Sequence, residues 1–403
     1  MKINKIEKKG FKTCEVAMFL TLPLDKTKMS MQALIPEVLK RGSKNYENQL
    51  IINRKLENMY GAQISAGTNK NGNYNVIKFY IEFINDKFIP SKEDLKDEAI
   101  ELLEDIIFNP LVENDGFKKE YVEQEKENLK KIILSRKDEK RSYSAGRLIE
   151  EMFSDDEYGV FQLGTVEDVD KIDEKSLYEE YKNIIKNAKI NFFIIGENVE
   201  NINVKDIEDN DVKESENTHK IAKEEKVLKE QMDVNQGKLN IGLDVDYDNK
   251  FAITMYNTIL GGGANSKLFQ NVREKAGLAY YAGSSFLRRK NAIAIRSGIE
   301  LFNYDKALKI IKEQIEEMKK GNITDKEFDE AKKLVVSSIK GLKESQDEII
   351  SFMFDQELFD ENLLLDDYIS NVEIITKQDV IDVAQHVYIN TIYFLEGKEG
   401  GND

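Results

Sequence analysis

Histidine is almost missing from this chain. It has two, His219 and His386, and neither has another histidine four residues away. No helix can therefore present two imidazoles one turn apart, which excludes a His-x-x-Glu-His zinc helix. Cysteine is a single residue, Cys14, so no disulfide can close within the chain. That fits a reducing, cytoplasmic setting. Positive charge is in deficit: 59 Lys and Arg stand against 75 Asp and Glu, a net charge of −16. This argues against nonspecific binding to nucleic acid or to an anionic membrane. No apolar run reaches the length that spans a bilayer. The Lys-rich start followed by VAMFLTLPL imitates a signal peptide. But the apolar run is short, Glu15 interrupts its approach and no small-x-small cleavage site follows, so a buried strand is expected there.

What is present suits a globular protein. The 403 residues, 40% hydrophobic, are enough for real cores and fit two domains of about 200 residues. In the first half, Val16, Met18, Leu20 and Leu22 alternate as in a strand. Helices are expected at 29–40 and 46–60, then two strands at 62–69 and 76–84 joined by a hairpin at Asn71-Gly72. Further helices are expected at 94–108, at 117–152 with a break, and at 174–187, then a strand at 190–195. The second half repeats that order. A strand is expected at 238–246, helices at 249–260 and 266–276, strands at 280–287 and 292–301, and helices at 305–320 and from Phe328. A helix at 377–387 and a strand at 391–395 follow. Gly61 pairs with Gly277, Phe117 with Phe328 and Gly196 with Gly397, at offsets of about 200 to 220 residues. This is an internal duplication of one α+β domain, with a mainly antiparallel sheet and helices on one side. The domains are expected at 1–201 and 231–403. The almost wholly polar stretch 202–230 reads as an exposed linker.

One stretch, residues 259–281, reads ILGGGANSKLFQNVREKAGLAYY. A Gly triplet breaks a helix, a short helix follows, Gly277 stops it and a strand opens. On the residues alone this is a plain connector. The stretch resembles the C-terminal-half motif of the M16 metallopeptidases, the family of pitrilysin, insulinase and mitochondrial processing peptidase. The resemblance implies two homologous domains that face each other like a clamshell. Active members carry His-x-x-Glu-His on the first helix and a third zinc ligand, a Glu, on a later long helix. Here the motif falls on Ala33 to Glu37, with Pro36 and Glu37 at its last two places. Shifted by one, it falls on Leu34 to Val38 and keeps Glu37 as the general-base position. Both histidines are lost in either register, and Pro36 is expected to strain or bend the helix. The third ligand falls near Ile132. The carboxylates Glu123, Glu125 and Glu127 read as a solvated helix face, and carboxylates alone suit Ca²⁺ or Mg²⁺ better than catalytic zinc.

The resemblance therefore implies a zinc-less, non-catalytic, bacterial branch with no metal cofactor, and the acidic charge and lack of a long apolar run add the expectation of no nucleic-acid or membrane partner. In active members an Arg and a Tyr of the second domain hold the substrate backbone. They match Arg273 and Tyr280, which could equally be a surface ion pair and a half-buried ring. The strand 62–69 matches the family's edge strand, which takes an extended peptide by strand addition. Inactive members commonly pair with an active one, so a heterodimer with a zinc-bearing homologue is expected. The branch it looks most like is associated with 5-aminopentanol modification of elongation factor P. Two other readings stand beside this one: an assembly subunit like the core proteins of respiratory complexes, or a live metallopeptidase with unorthodox ligands.

Overall fold

The computed structural model describes residues 1–90, 94–208 and 210–397. The first half of the chain runs β1 (Lys2–Glu7), β2 (Thr13–Pro23), α1 (Met29–Leu39), α2 (Gln49–Asn58), β3 (Gln63–Asn71), β4 (Tyr74–Ile84) and α3 (Leu95–Phe108). A small hairpin, β5 (Val112–Glu113) and β6 (Gly116–Phe117), leads to α4 (Lys119–Ser135) and α5 (Lys140–Met152). Then come α6 (Val166–Asp170), α7 (Glu174–Asn187) and β7 (Lys189–Gly196). The second half runs β8 (Lys226–Met232), β9 (Gly237–Val245), α8 (Lys250–Gly261), a π-helical turn (Phe269–Lys275), β10 (Ala279–Leu287) and β11 (Ala292–Ile299). It ends with α9 (Tyr304–Lys319), α10 (Asp325–Gly341), α11 (Gln346–Leu358), α12 (Leu365–Glu373), α13 (Lys377–Gln385) and β12 (Val387–Gly397).

Two five-stranded sheets result, in the orders β1-β7-β2-β4-β3 and β10-β11-β9-β12-β8. They are one order read from opposite ends, so the duplication read from sequence is real at the level of topology. Gly61 and Gly277, paired across the repeat, both adopt positive φ, 79° and 63°. Glycine carries that backbone without strain. Pairing is antiparallel except at one edge of each sheet, where β1 runs parallel to β7 and β8 parallel to β12. Neither edge strand was expected. β8 begins inside the stretch read as linker, so residues 226–230 are strand. Both strands alternate exposed and half-buried positions. An edge strand covered on one face keeps its charged residues in water, and its apolar pattern is correspondingly faint.

The chain forms two compact units. One comprises Met1–Ser135, Val160–Asn217 and Ser345–Glu361, the other Arg136–Gly159, Thr218–Glu344 and Asn362–Asp403. Each contains one five-stranded sheet and one helix from the opposite half of the sequence. In the first unit, Val16, Met18, Leu20, Phe192 and Ile194 pack with α1, α3 and α7. The opposite face of that sheet, Ala17, Phe19, Phe193 and Ile195, is buried under Ile350 and Phe354 of α11. In the second unit, Leu239, Ile241 and Leu243 pack with α8, α9 and α13. On the other face, Ala294, Tyr393 and Leu395 lie under Tyr143 and Leu148 of α5. Helices on one side only is therefore corrected. β2 and β7 are apolar at successive positions, and such strands need cover on both faces.

Candidate functional site

The first helix of the first unit is where a zinc site would be built. Ala33, Leu34, Ile35 and Pro36 are all buried. Proline lacks the N–H for one helical bond, yet α1 runs through it, and Lys40 N–H donates to the Pro36 carbonyl at 3.2 Å. Glu37 points away from the core and pairs with Lys40 at 3.0 Å. In the register expected from the sequence, the places of two imidazoles and a general base hold a core methyl, a prolyl ring and a carboxylate paired with Lys40. Both histidines belong to the other unit. Zinc does not fit this donor set.

The later helix gives no better set. Ile132 is exposed on α4. Glu125 is only 6% exposed, which corrects the solvated-face reading. It takes the Arg41 guanidinium and, at 3.2 Å, the Asn128 amide. Glu123 pairs with Lys126 at 3.6 Å and Glu127 with Lys130 at 2.5 Å. Each carboxylate is turned to its own cation. Among the described residues no group of three His, Cys, Asp or Glu side chains could hold a metal ion.

The strand-addition expectation lands on a groove in this unit. β3 is the free edge of its sheet. Beside it lies a groove of about 490 Å³ lined by Ser65, Gly67, Lys78, Tyr80 and Phe354 among others. Gly67 leaves it open: a Cβ there would meet nothing within 4 Å. The Lys78 ammonium lies 4.8 Å from the Tyr80 ring centroid and 5.4 Å from that of Phe19. A guest would therefore meet unpaired backbone, an ammonium already paired with Asp347 and Glu15, and aromatic rings. Lys78 and Tyr80 were legible as the off-core side of β4. Phe354 was not, because its helix comes from far along the sequence.

In the second unit, Arg273 sits on the π-helical turn. Its guanidinium is 4.6 Å from the Phe269 ring centroid and 3.6 Å from the Glu274 carboxylate. An α-helix was expected there. A π-turn widens the helix and recurs at functional sites. Tyr280 is 54% exposed and its hydroxyl donates to Glu300. That carboxylate, a partner not anticipated from sequence, raises the phenol pKa by favouring its protonated form.

Residues 171–335 match the family described as Peptidase M16 inactive domain. The chain is 34% identical, across 99% of its length and 96% of the relative's, to the probable inactive metalloprotease YmfF of Bacillus subtilis (strain 168). The chain belongs to the M16 family. The uncharacterized zinc protease YmxG of the same bacterium is 27% identical over 36% of this chain and 37% of its own length. A conserved protein from Enterococcus faecalis V583 shares the fold with a TM-score of 0.89 and 24% identity, covering 99% of this chain and 97% of that one. Within the M16 family, the inactive-domain match and the inactive relative fit a chain without a catalytic zinc. No described helix is long and apolar enough to cross a membrane.

Proposed function

We propose that this protein is a non-catalytic M16 subunit that binds an extended peptide along β3 and pairs with a zinc-bearing M16 homologue. The observation that carries the reading is the open groove at the free edge of β3 on a scaffold whose zinc positions hold no ligands. Exposed backbone supplies main-chain hydrogen bonds and the groove receives alternate side chains. Arg273 and Tyr280, both near solvent, would be lent to the partner's active site. A zinc protease relative in the same bacterium as YmfF supports pairing between such chains. A role in elongation factor P modification rests on the resemblance of the branch, and is tested by the mass of elongation factor P in cells lacking this chain.

Metal analysis of the purified chain should find no stoichiometric zinc, and a pool of unfolded peptides should stay uncut. Labelled extended peptides should bind, and Gly67→Trp should weaken them roughly tenfold by filling the groove. Mixed with a zinc-bearing homologue, the chain should raise cleavage, and Arg273→Ala or Tyr280→Phe should remove that gain. Bound zinc with chelator-sensitive cleavage by the chain alone would overturn the reading.

A further inference from the structure

Toward β10, the face of the second sheet beneath α5 gathers cations, while its Glu230 carboxylate, on β8 at the opposite edge, is taken by Tyr143, Tyr393 and Arg147. Arg296 on β11 stands opposite Gly283 on β10 and Asn240 on β9. One row along, Gly298 stands between Tyr281 and Lys238. Directly opposite residues share a face, with Cβ atoms about 5 Å apart. Gly298 makes room on that face for a neighbouring ring. The Tyr281 ring occupies the place a Gly298 side chain would take, since a Cβ there would lie 2.5 Å from its Cε1. Arg141, on the first turn of α5, holds its guanidinium 4.1 Å from the centroid of the same ring.

These groups can all donate, and three of their buried donor atoms lack acceptors. Asn240 is 1% exposed and its Nδ2 has no partner. The buried Nε of Arg296 and the buried hydroxyl of Tyr281 have none either. A terminal nitrogen of Arg296 reaches Ser285 Oγ at 3.2 Å, and Lys238 Nζ reaches Gln236 Oε1 at 3.4 Å. The one carboxylate felt by Lys238 and Tyr281 is Glu139, which is exposed and caps α5 by accepting the Arg141 backbone N–H at 3.3 Å. Burial, and then Arg141, lower the pKa of Arg296. Buried donors left unpaired cost about 1–3 kcal/mol each, and crowded guanidinium groups add repulsion. A bound oxyanion would relieve both, through the charge-assisted forked bonds that arginine makes to carboxylates.

We propose that Arg141, Lys238 and Arg296, with Asn240 and Tyr281, form a carboxylate-binding site for an acidic peptide segment. β10, which carries Tyr281, is the free edge of this sheet. A segment laid along it in extended form turns every second side chain toward the cluster. The site is distinct from the groove on β3 and does not depend on the peptide reading made for it.

The test titrates hexaglutamate, hexaserine and inorganic phosphate separately into the full chain. Heat and the Arg296 Nε–H NMR signal are followed. Hexaglutamate should bind, move that signal and weaken as salt rises, while hexaserine should not bind. Arg141→Gln, at an exposed position, should weaken hexaglutamate roughly tenfold with the melting temperature unchanged. Tyr281→Phe should weaken it less. Equal binding of the two peptides, unchanged binding in Arg141→Gln, or binding of phosphate alone would each overturn the proposal.

Discussion

The ring of Phe354 lies flat on the ring of Phe19, centroids 4.0 Å apart and planes 8° apart. Phe193 meets both edge-on, at 6.4 and 5.6 Å. The same helix is pinned at its start, where the Gln346 amide donates to the Thr13 carbonyl at 2.9 Å and to that of Ile195 at 3.3 Å. A helix from late in the chain thus belongs to the core of the first unit.

Phe354→Ala should destabilise the first unit by about 3–4 kcal/mol, through lost burial, a cavity and a lost aromatic stack. Chemical unfolding followed by probes in that unit reads the effect. A fragment ending at residue 201 lacks α11 and should show amide exchange far faster than the full chain. A fragment as protected as the whole would mean that α11 is dispensable.

Glu15 lies buried on β2 with Lys78 3.7 Å away. Burial dominates and raises its pKa to about 7; Lys78 opposes this, and Asp347 and Glu82 add to it. The folded pKa exceeds the unfolded one. The protonated form is therefore favoured on folding, and its contribution is present at low pH and lost as pH rises through about 7. Glu15→Gln should leave stability at pH 5 nearly unchanged and increase it by about 2 kcal/mol at pH 8. Equal effects at both pH values would contradict this.

His219 ties the segment that follows Asn217 into the second unit. Its Nε2 is 2.8 Å from the Asp244 carboxylate and its Nδ1 3.5 Å from that of Asp155. The ring packs 4.4 Å from that of Phe153. Burial acts to lower its pKa, but Asp244 and then Asp155 outweigh it and the pKa is raised. The stabilisation is complete below the unfolded pKa, about 6.5, and is lost as pH rises through the folded value. Proteolysis near residue 219 should accelerate from pH 6 to pH 9, and His219→Gln should abolish that pH dependence.

Lys290 and Asp156 form a buried ion pair at 2.9 Å, with side chains 2% and 0% exposed. Asp156→Ala should cost about 3–5 kcal/mol by removing one partner of a buried ion pair. Adding Lys290→Met should recover part of that. Recovery stays incomplete because Asp156 also accepts the Tyr158 and Thr218 backbone N–H groups, at 2.8 and 2.9 Å. A double variant no more stable than the single one would show that those backbone bonds, not the charge, set the cost.

The sequence by itself determined the elements whose periodicity is strong. Alternation at Val16–Leu22 and Leu239–Val245, and the paired glycines Gly61 and Gly277, gave the strands, their repeat and the fold class. Composition alone settled the missing histidines at the first helix. The tertiary structure alone decided what covers each sheet. The helix carrying Phe354 and the helix carrying Leu148 are apolar on faces whose partners are strands of the opposite sequence half, and periodicity says that a face is buried without saying against what. It also decided the candidate sites. Arg296, Asn240 and Tyr281 lie on three strands and meet only through register, which a one-residue slip would undo.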